Sequence, residues 1–128
     1  MNKKNIGDKG ESFVVWLYEK SGYTVIARNY HSRYGEIDLI AENETEICFI
    51  EVKTRNLSSL GTPAEAVDYR KQKKLTLTAM KYLSETECFK QPRFDVFEVW
   101  QEEGRIVKYN LIENAFYAED FAGNYEVF

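Results

Sequence analysis

The stretch GEIDLIAENETEICFIEVKTR, Gly35 to Arg55, decides how the rest of the chain is read. Residues 35–42 alternate, with Glu36, Asp38 and Ile40 on one side and Ile37, Leu39 and Ala41 on the other. A period of two is that of a strand, and it projects Glu36 and Asp38 together. Residues 43–46, Asn-Glu-Thr-Glu, are short and polar and suit a hairpin loop. Residues 47–54 are rich in β-branched and aromatic side chains and read as the returning strand, with Glu51 and Lys53 on one face and Ile50 and Val52 on the other. In matching register the hairpin holds Asp38, Glu51 and Lys53 on one surface.

Charged groups at the ends of strands buried on both sides cost free energy unless they are paired or bind a metal. Two readings follow. Lys53 can pair with Glu51 or Asp38 as an ordinary ion pair, a common arrangement of small consequence. Alternatively, the two acids form an oxygen-rich site for Mg²⁺ or Mn²⁺, since hard divalent cations take one or two carboxylates together with substrate phosphate. The lysine then orients a water and stabilises charge at phosphorus.

Upstream, residues 1–5 are polar and expected to fray, and Gly7 to Ser21 reads as a helix. Phe13, Trp16, Leu17 and Lys20 form one stripe on it, and Glu11, Val14, Val15 and Tyr18 the adjacent one. Gly22 suits the left-handed residue that follows a helix. Glu11, near the helix start, is either a first-turn carboxylate favoured by the helix dipole or a third acid of the metal site. Tyr23 to Tyr30 reads as an edge or near-edge strand. Arg28 to Tyr34 reads as a polar, aromatic connection, equally an ordinary packed loop or a surface where tyrosines stack on bases. His31, the one histidine, carries no assigned role.

Downstream, residues 56–61 form a loop beside the acids. Thr62-Pro63-Ala64-Glu65 carries a helix start, with Thr62 as N-cap and a helical stretch to about Ser84, kinked near Asp68. Leu75, Ala79, Tyr82 and Leu83 form its buried stripe. Arg93 to Trp100 alternates as a strand, with Phe94, Val96, Glu98 and Trp100 opposite Arg93, Asp95, Phe97 and Val99. Arg93 and Asp95 most simply pair with each other. Glu102-Glu103-Gly104 is a turn, and Arg105 to Ile112 the partner strand. The aromatic tail, residues 114–128, is expected to pack back as a short helix or to join a dimer contact.

The 128 residues suit one domain, 1–128, with a modest core. Two cysteines, Cys48 and Cys88, make no disulfide framework and suit a reducing cytoplasm. Neither a signal peptide nor a transmembrane helix is expected, and so no membrane partner. The net charge of −4 disfavours a nucleic-acid partner, but the acidity is uneven. Residues 1–91 hold 14 Lys and Arg against 13 Asp and Glu, and residues 92–128 hold 3 against 8. Arg70, Lys71, Lys73 and Lys74 cluster, as a solvated helix face or as a phosphate-contacting surface.

GEIDLI (35–40) and FIEVKTR (49–55), with GESFVVWLYEKSGY (10–23) upstream and RFD (93–95) downstream, resemble the YraN-like family of bacterial proteins. That family in turn looks like the Holliday-junction-resolvase branch of the PD-(D/E)xK nuclease superfamily. The resemblance spans roughly the first 100 residues. It implies that Asp38 and Glu51, with the Val52 carbonyl, hold Mg²⁺ or Mn²⁺. It implies Lys53 as the motif lysine, Glu11 as the first-helix glutamate, and Gln72 or Lys71 as a polar residue of the second helix. Ile37 stands where the superfamily motif has proline.

The expected fold is α/β: a restriction-endonuclease-like or resolvase-like mixed central sheet of about five strands flanked by helices. The expected function is a metal-dependent endonuclease acting on branched or structured DNA, with Arg55, Arg70, Lys71 and Lys74 contacting phosphates and a homodimer matching a two-fold symmetric substrate. The competing reading is a non-catalytic module that keeps the fold and binds nucleic acid or protein.

Overall fold

A strand covered on both faces needs an unbroken apolar run, and Ile47, Cys48, Phe49 and Ile50 are all buried in β3 (Glu46–Asn56). The computed structural model describes residues 3–57 and 68–116, with side chains from residue 9 onward. Around β3 the other elements are α1 (Lys3–Lys20), β1 (Thr24–Ser32), β2 (Gly35–Glu42), α2 (Tyr69–Thr86), β4 (Gln91–Glu102) and β5 (Arg105–Phe116). The strands form one mixed sheet in the order β1-β2-β3-β4-β5. All neighbours are antiparallel except β3 and β4, which run parallel with α2 between them in the chain. α1 packs Val14 and Tyr18 on one face against Leu39, Ala41, Cys48, Ile50, Phe97 and Val99. α2 packs Leu75 and Ala79 on the other, against Ile40, Ile47, Phe49, Phe94 and Val96. The result is the α/β architecture that the alternating strands and flanking helices lead one to expect, and it is consistent with a resolvase-like fold.

Several local expectations are corrected. α1 begins at Lys3, so residues 3–5 are helical where fraying was expected. Of the two adjacent stripes read on it, the one with Val14 and Tyr18 is buried, while Trp16 on the other is 54% exposed. Gly10 permits the close approach: a Cβ there would lie 2.4 Å from Thr54 Oγ1 on β3. After α1, Gly22 takes φ 93°, and the Tyr23 and Gly22 N–H groups donate to the Tyr18 and Glu19 carbonyls, closing the helix as expected. β1 runs on through Ser32, which pairs with Gly35, so the connection shrinks to Arg33 and Tyr34. The earlier residues of that connection belong to the strand because their backbone groups bond to β2.

The β2–β3 hairpin is as expected, with Asn43 Oδ1 accepting the N–H groups of Thr45 and Glu46 across the turn. Strict alternation along β2 fails at one place. Ile37 packs with Ile40 on the α2 face, whereas Leu39 and Ala41 lie on the α1 face. The break falls at Asp38, across from Asn29 of β1, which has φ 53°. α2 starts with Asp68 as N-cap, its side chain accepting the Lys71 N–H. The kink expected near Asp68 is therefore a helix start; the cap expected at Thr62 to Glu65 lies outside the described residues, as does the tail beyond Phe116. β5 is four residues longer than expected because Phe116 is buried and stacks on Phe94, with ring centroids 4.6 Å apart.

Candidate functional site

β2 and β3 pair as far as Leu39 opposite Ile50, and there they part. Asp38 stands at the opening, its Oδ2 accepting the Val52 N–H at 2.8 Å. An extended residue turns its N–H and C=O toward the same edge, so the Val52 carbonyl also faces the Asp38 side. Glu51, buried, comes from the facing position on β3. Burial pushes the Asp38 carboxyl up to about 7; the charges of Glu51, Glu11 and Glu36 add to this, and the bond from Val52 opposes it. A carboxyl raised in this way marks a place where negative charge is in excess and a cation is welcome.

A cation reaches the acids from α2: Lys71 Nζ lies 2.5 Å from Glu51 Oε1. Burial lowers the Lys71 pKa, but the bond to Glu51 and the charges of Glu51, Asp38 and Glu36 outweigh it and raise the pKa overall. A cavity of about 330 Å³ opens here, lined by Glu36, Glu51, Asp68, Arg70, Lys71 and Lys74 among others. It lies beside the N-terminus of α2, whose dipole favours anions. Its lining therefore mixes acids and cations, with Glu51 the buried acid among them.

Of the other expected site residues, Lys53 lies two positions beyond Glu51 on β3 and is half-buried. Gln72 follows Lys71 on α2, also half-buried, its N–H bonded to the Asp68 carbonyl. Glu11 lies on the stripe of Val14 and Tyr18, 3.8 Å from Arg28 of β1, and its charge reaches Asp38. Arg55 turns to Glu98 of β4, Nε to Oε2 3.6 Å, and is 20% exposed. The structure thus gathers Asp38, Glu51, Val52 and Lys71 tightly, Arg70 and Lys74 on the cavity rim, and Glu11 at one remove. Among the described residues, no three acidic, histidine or cysteine side chains converge as a complete metal cage. Two carboxylates and a carbonyl fit a hard cation that keeps waters and takes the rest of its shell from a phosphate.

One residue near the site went unassigned from sequence. Glu98, 5% exposed, is the register partner of Lys53 and accepts from Asn110 Nδ2 at 3.2 Å. The signal was present in RFDVFEVW, where Glu98 shares its face with Phe94 and Val96: a charge on an apolar face needs partners. A wider depression of about 550 Å³ lies at the other end of β3, around Glu42, Asn43 and Lys90. Lys90 and Glu42 pair there at 2.9 Å, and it lies away from the carboxyl ends of the parallel strands, where α/β sheets bind ligands.

Fold and site together define a mixed α/β protein with a cleft of mixed charge beside the place where antiparallel β2 and β3 part. The chain belongs to Uncharacterised protein family UPF0102, whose model matches residues 10–99. A UPF0102 protein of Caldanaerobacter subterraneus subsp. tengcongensis is 42% identical over 120 residues, covering 91% of this chain and 98% of the relative. Others from Alkaliphilus oremlandii and Clostridioides difficile are 43% and 42% identical, each covering 91% of this chain and 100% of the relative.

Proposed function

We propose that this protein is a Mg²⁺- or Mn²⁺-dependent endonuclease that hydrolyses phosphodiester bonds in branched or structured DNA. The observation that carries the reading is Asp38 bonded to the Val52 N–H within reach of the Glu51 charge, its carboxyl pushed up to about 7 by burial and by its acid neighbours. Asp38, Glu51 and the Val52 carbonyl would hold the metal. Bound there, it supplies Lewis acidity at the scissile phosphate. Lys53 orients the attacking water, and Glu11 adds negative charge that keeps a cation in place. Arg70 and Lys74 on the cavity wall take flanking phosphates, and Arg55, paired with Glu98, takes a further one.

The free cysteines Cys48 and Cys88 fit a cytoplasmic setting, and a homodimer would match a two-fold symmetric junction. Among the described residues no helix is long and apolar enough to cross a membrane.

A second reading keeps the fold as a binding module without catalysis. The net charge of −4 and the satisfied Lys71–Glu51 pair favour it. A labelled panel of four-way junction, flap, duplex, single strand and RNA separates the two, run with Mg²⁺, Mn²⁺ or EDTA. Cleavage that needs metal and disappears in Asp38→Asn and Lys53→Ala is expected. Binding without cleavage at any metal concentration would transfer the assignment to the module.

A further inference from the structure

Lys71 occupies an unusual place among the cavity's cations. Asp68 Oδ1 accepts the Lys71 N–H at 2.8 Å, which fixes its backbone in the first turn of α2. Its side chain, 49% exposed, nonetheless reaches down to Glu51, whose side chain is 10% exposed. The backbone is anchored and the four-carbon stem is free to turn, so the ammonium can leave Glu51 without any movement of the helix. Arg70 and Lys74 flank it on the same cavity wall, so a side chain that lifts off Glu51 joins a rim already basic. A divalent cation on Asp38 and Glu51 would meet the ammonium at contact distance, and like charges in a partly buried site repel strongly.

We propose that the Lys71 ammonium is the acid pair's resident counter-ion, that a divalent cation displaces it, and that the freed side chain then takes a nucleic-acid phosphate. This rests on the metal-site reading above and adds to it a coupling: metal entry frees a phosphate ligand, so metal and nucleic acid each strengthen binding of the other. The arrangement keeps the acid pair balanced in the metal-free protein, and it withholds one rim cation from nucleic acid until the metal has arrived.

Two measurements on the full chain test it. The first is acylation of lysines by an amine-reactive reagent, read by peptide mass spectrometry. Lys71 labelling is expected to rise several-fold relative to Lys90 on adding Mg²⁺, and to fall again when a four-way DNA junction is added with the metal. The second is Mn²⁺ binding followed by electron paramagnetic resonance. Lys71→Gln is expected to tighten Mn²⁺ by about tenfold, within the usual range of coupling between two ligands. Lys74→Gln, which removes the same charge from the same cavity, is expected to change it much less. Mn²⁺ binding to the parent with unaltered Lys71 labelling, or weaker binding in Lys71→Gln, overturns the displacement and leaves the metal site standing. Mn²⁺ binding to neither protein overturns both.

Discussion

Asp38 pays for its position with a proton. Its carboxyl titrates near 7 in the folded protein and in the ordinary carboxylate range when unfolded. Between those values the folded state binds more protons than the unfolded one, so Asp38 makes stability fall as pH rises from about 4 to 7. Without metal, Asp38→Asn is therefore expected to be more stable than the parent at pH 8, by ~2 kcal/mol, with the gain shrinking toward pH 4. Urea denaturation at the two pH values measures this, and an equal gain at both would show that the Asp38 charge is balanced by its surroundings. The sequence made Asp38 and Glu51 legible because both lie on one hairpin, where a period of two and a short turn determine what faces what. Lys71 was legible as a cation but not as the partner of Glu51. That contact crosses from helix to strand, and no local periodicity encodes it.

At the scale of elements, α1 shows how one residue sets a docking distance. Gly10 lies over Thr54, and the space a Cβ would need is taken by the threonine hydroxyl. Gly10→Ala is expected to cost about 2 kcal/mol despite the better helix propensity of alanine, because β-branched Thr54 has little freedom to move aside. Thermal unfolding checks this, and restoration by the double change with Thr54→Ser would assign the loss to that contact. The same shift moves Glu11, one residue on, away from Asp38. The boundaries of α1 and β5 were less legible than their existence. Phe116 extends β5 because a stacking partner on β4 buries it, and that partner is 22 residues away in sequence (94 to 116). The stripe of α1 was ambiguous for a related reason: two adjacent stripes were legible, and which one is buried depends on the sheet, which leaves Phe13 packed on Tyr109 and Trp16 with Lys20 over its ring at 4.8 Å.

In the whole molecule, Asp95 ties three elements together. Its carboxylate accepts from Tyr18 of α1 at 2.6 Å, from Arg93 on its own strand and from the Asn114 backbone of β5, so the Arg93–Asp95 pairing expected from spacing turns out to be the centre of a buried network. The strand order was legible as a set of hairpins, and the parallel β3–β4 join only through the helix between them. That join has a kinetic meaning. β1, β2 and β3 pair through short turns, and so do β4 and β5, but the join matches Glu46 with Gln91 and continues to Asn56 with Gln101. Contacts of such long sequence separation form late, after loop-closure entropy has been overcome. Val99→Ala, on β4 opposite Thr54, is expected to speed unfolding with little change in refolding rate, whereas Ala41→Gly in the β2–β3 hairpin is expected to slow refolding. Stopped-flow chevrons distinguish them, and a slowed refolding limb in Val99→Ala would place the join in the folding nucleus. A chain emerging from the ribosome thus assembles Asp38 and Glu51 early, on a hairpin complete by Asn56, and gains the helix lysine and the Glu98 carboxylate only later in synthesis.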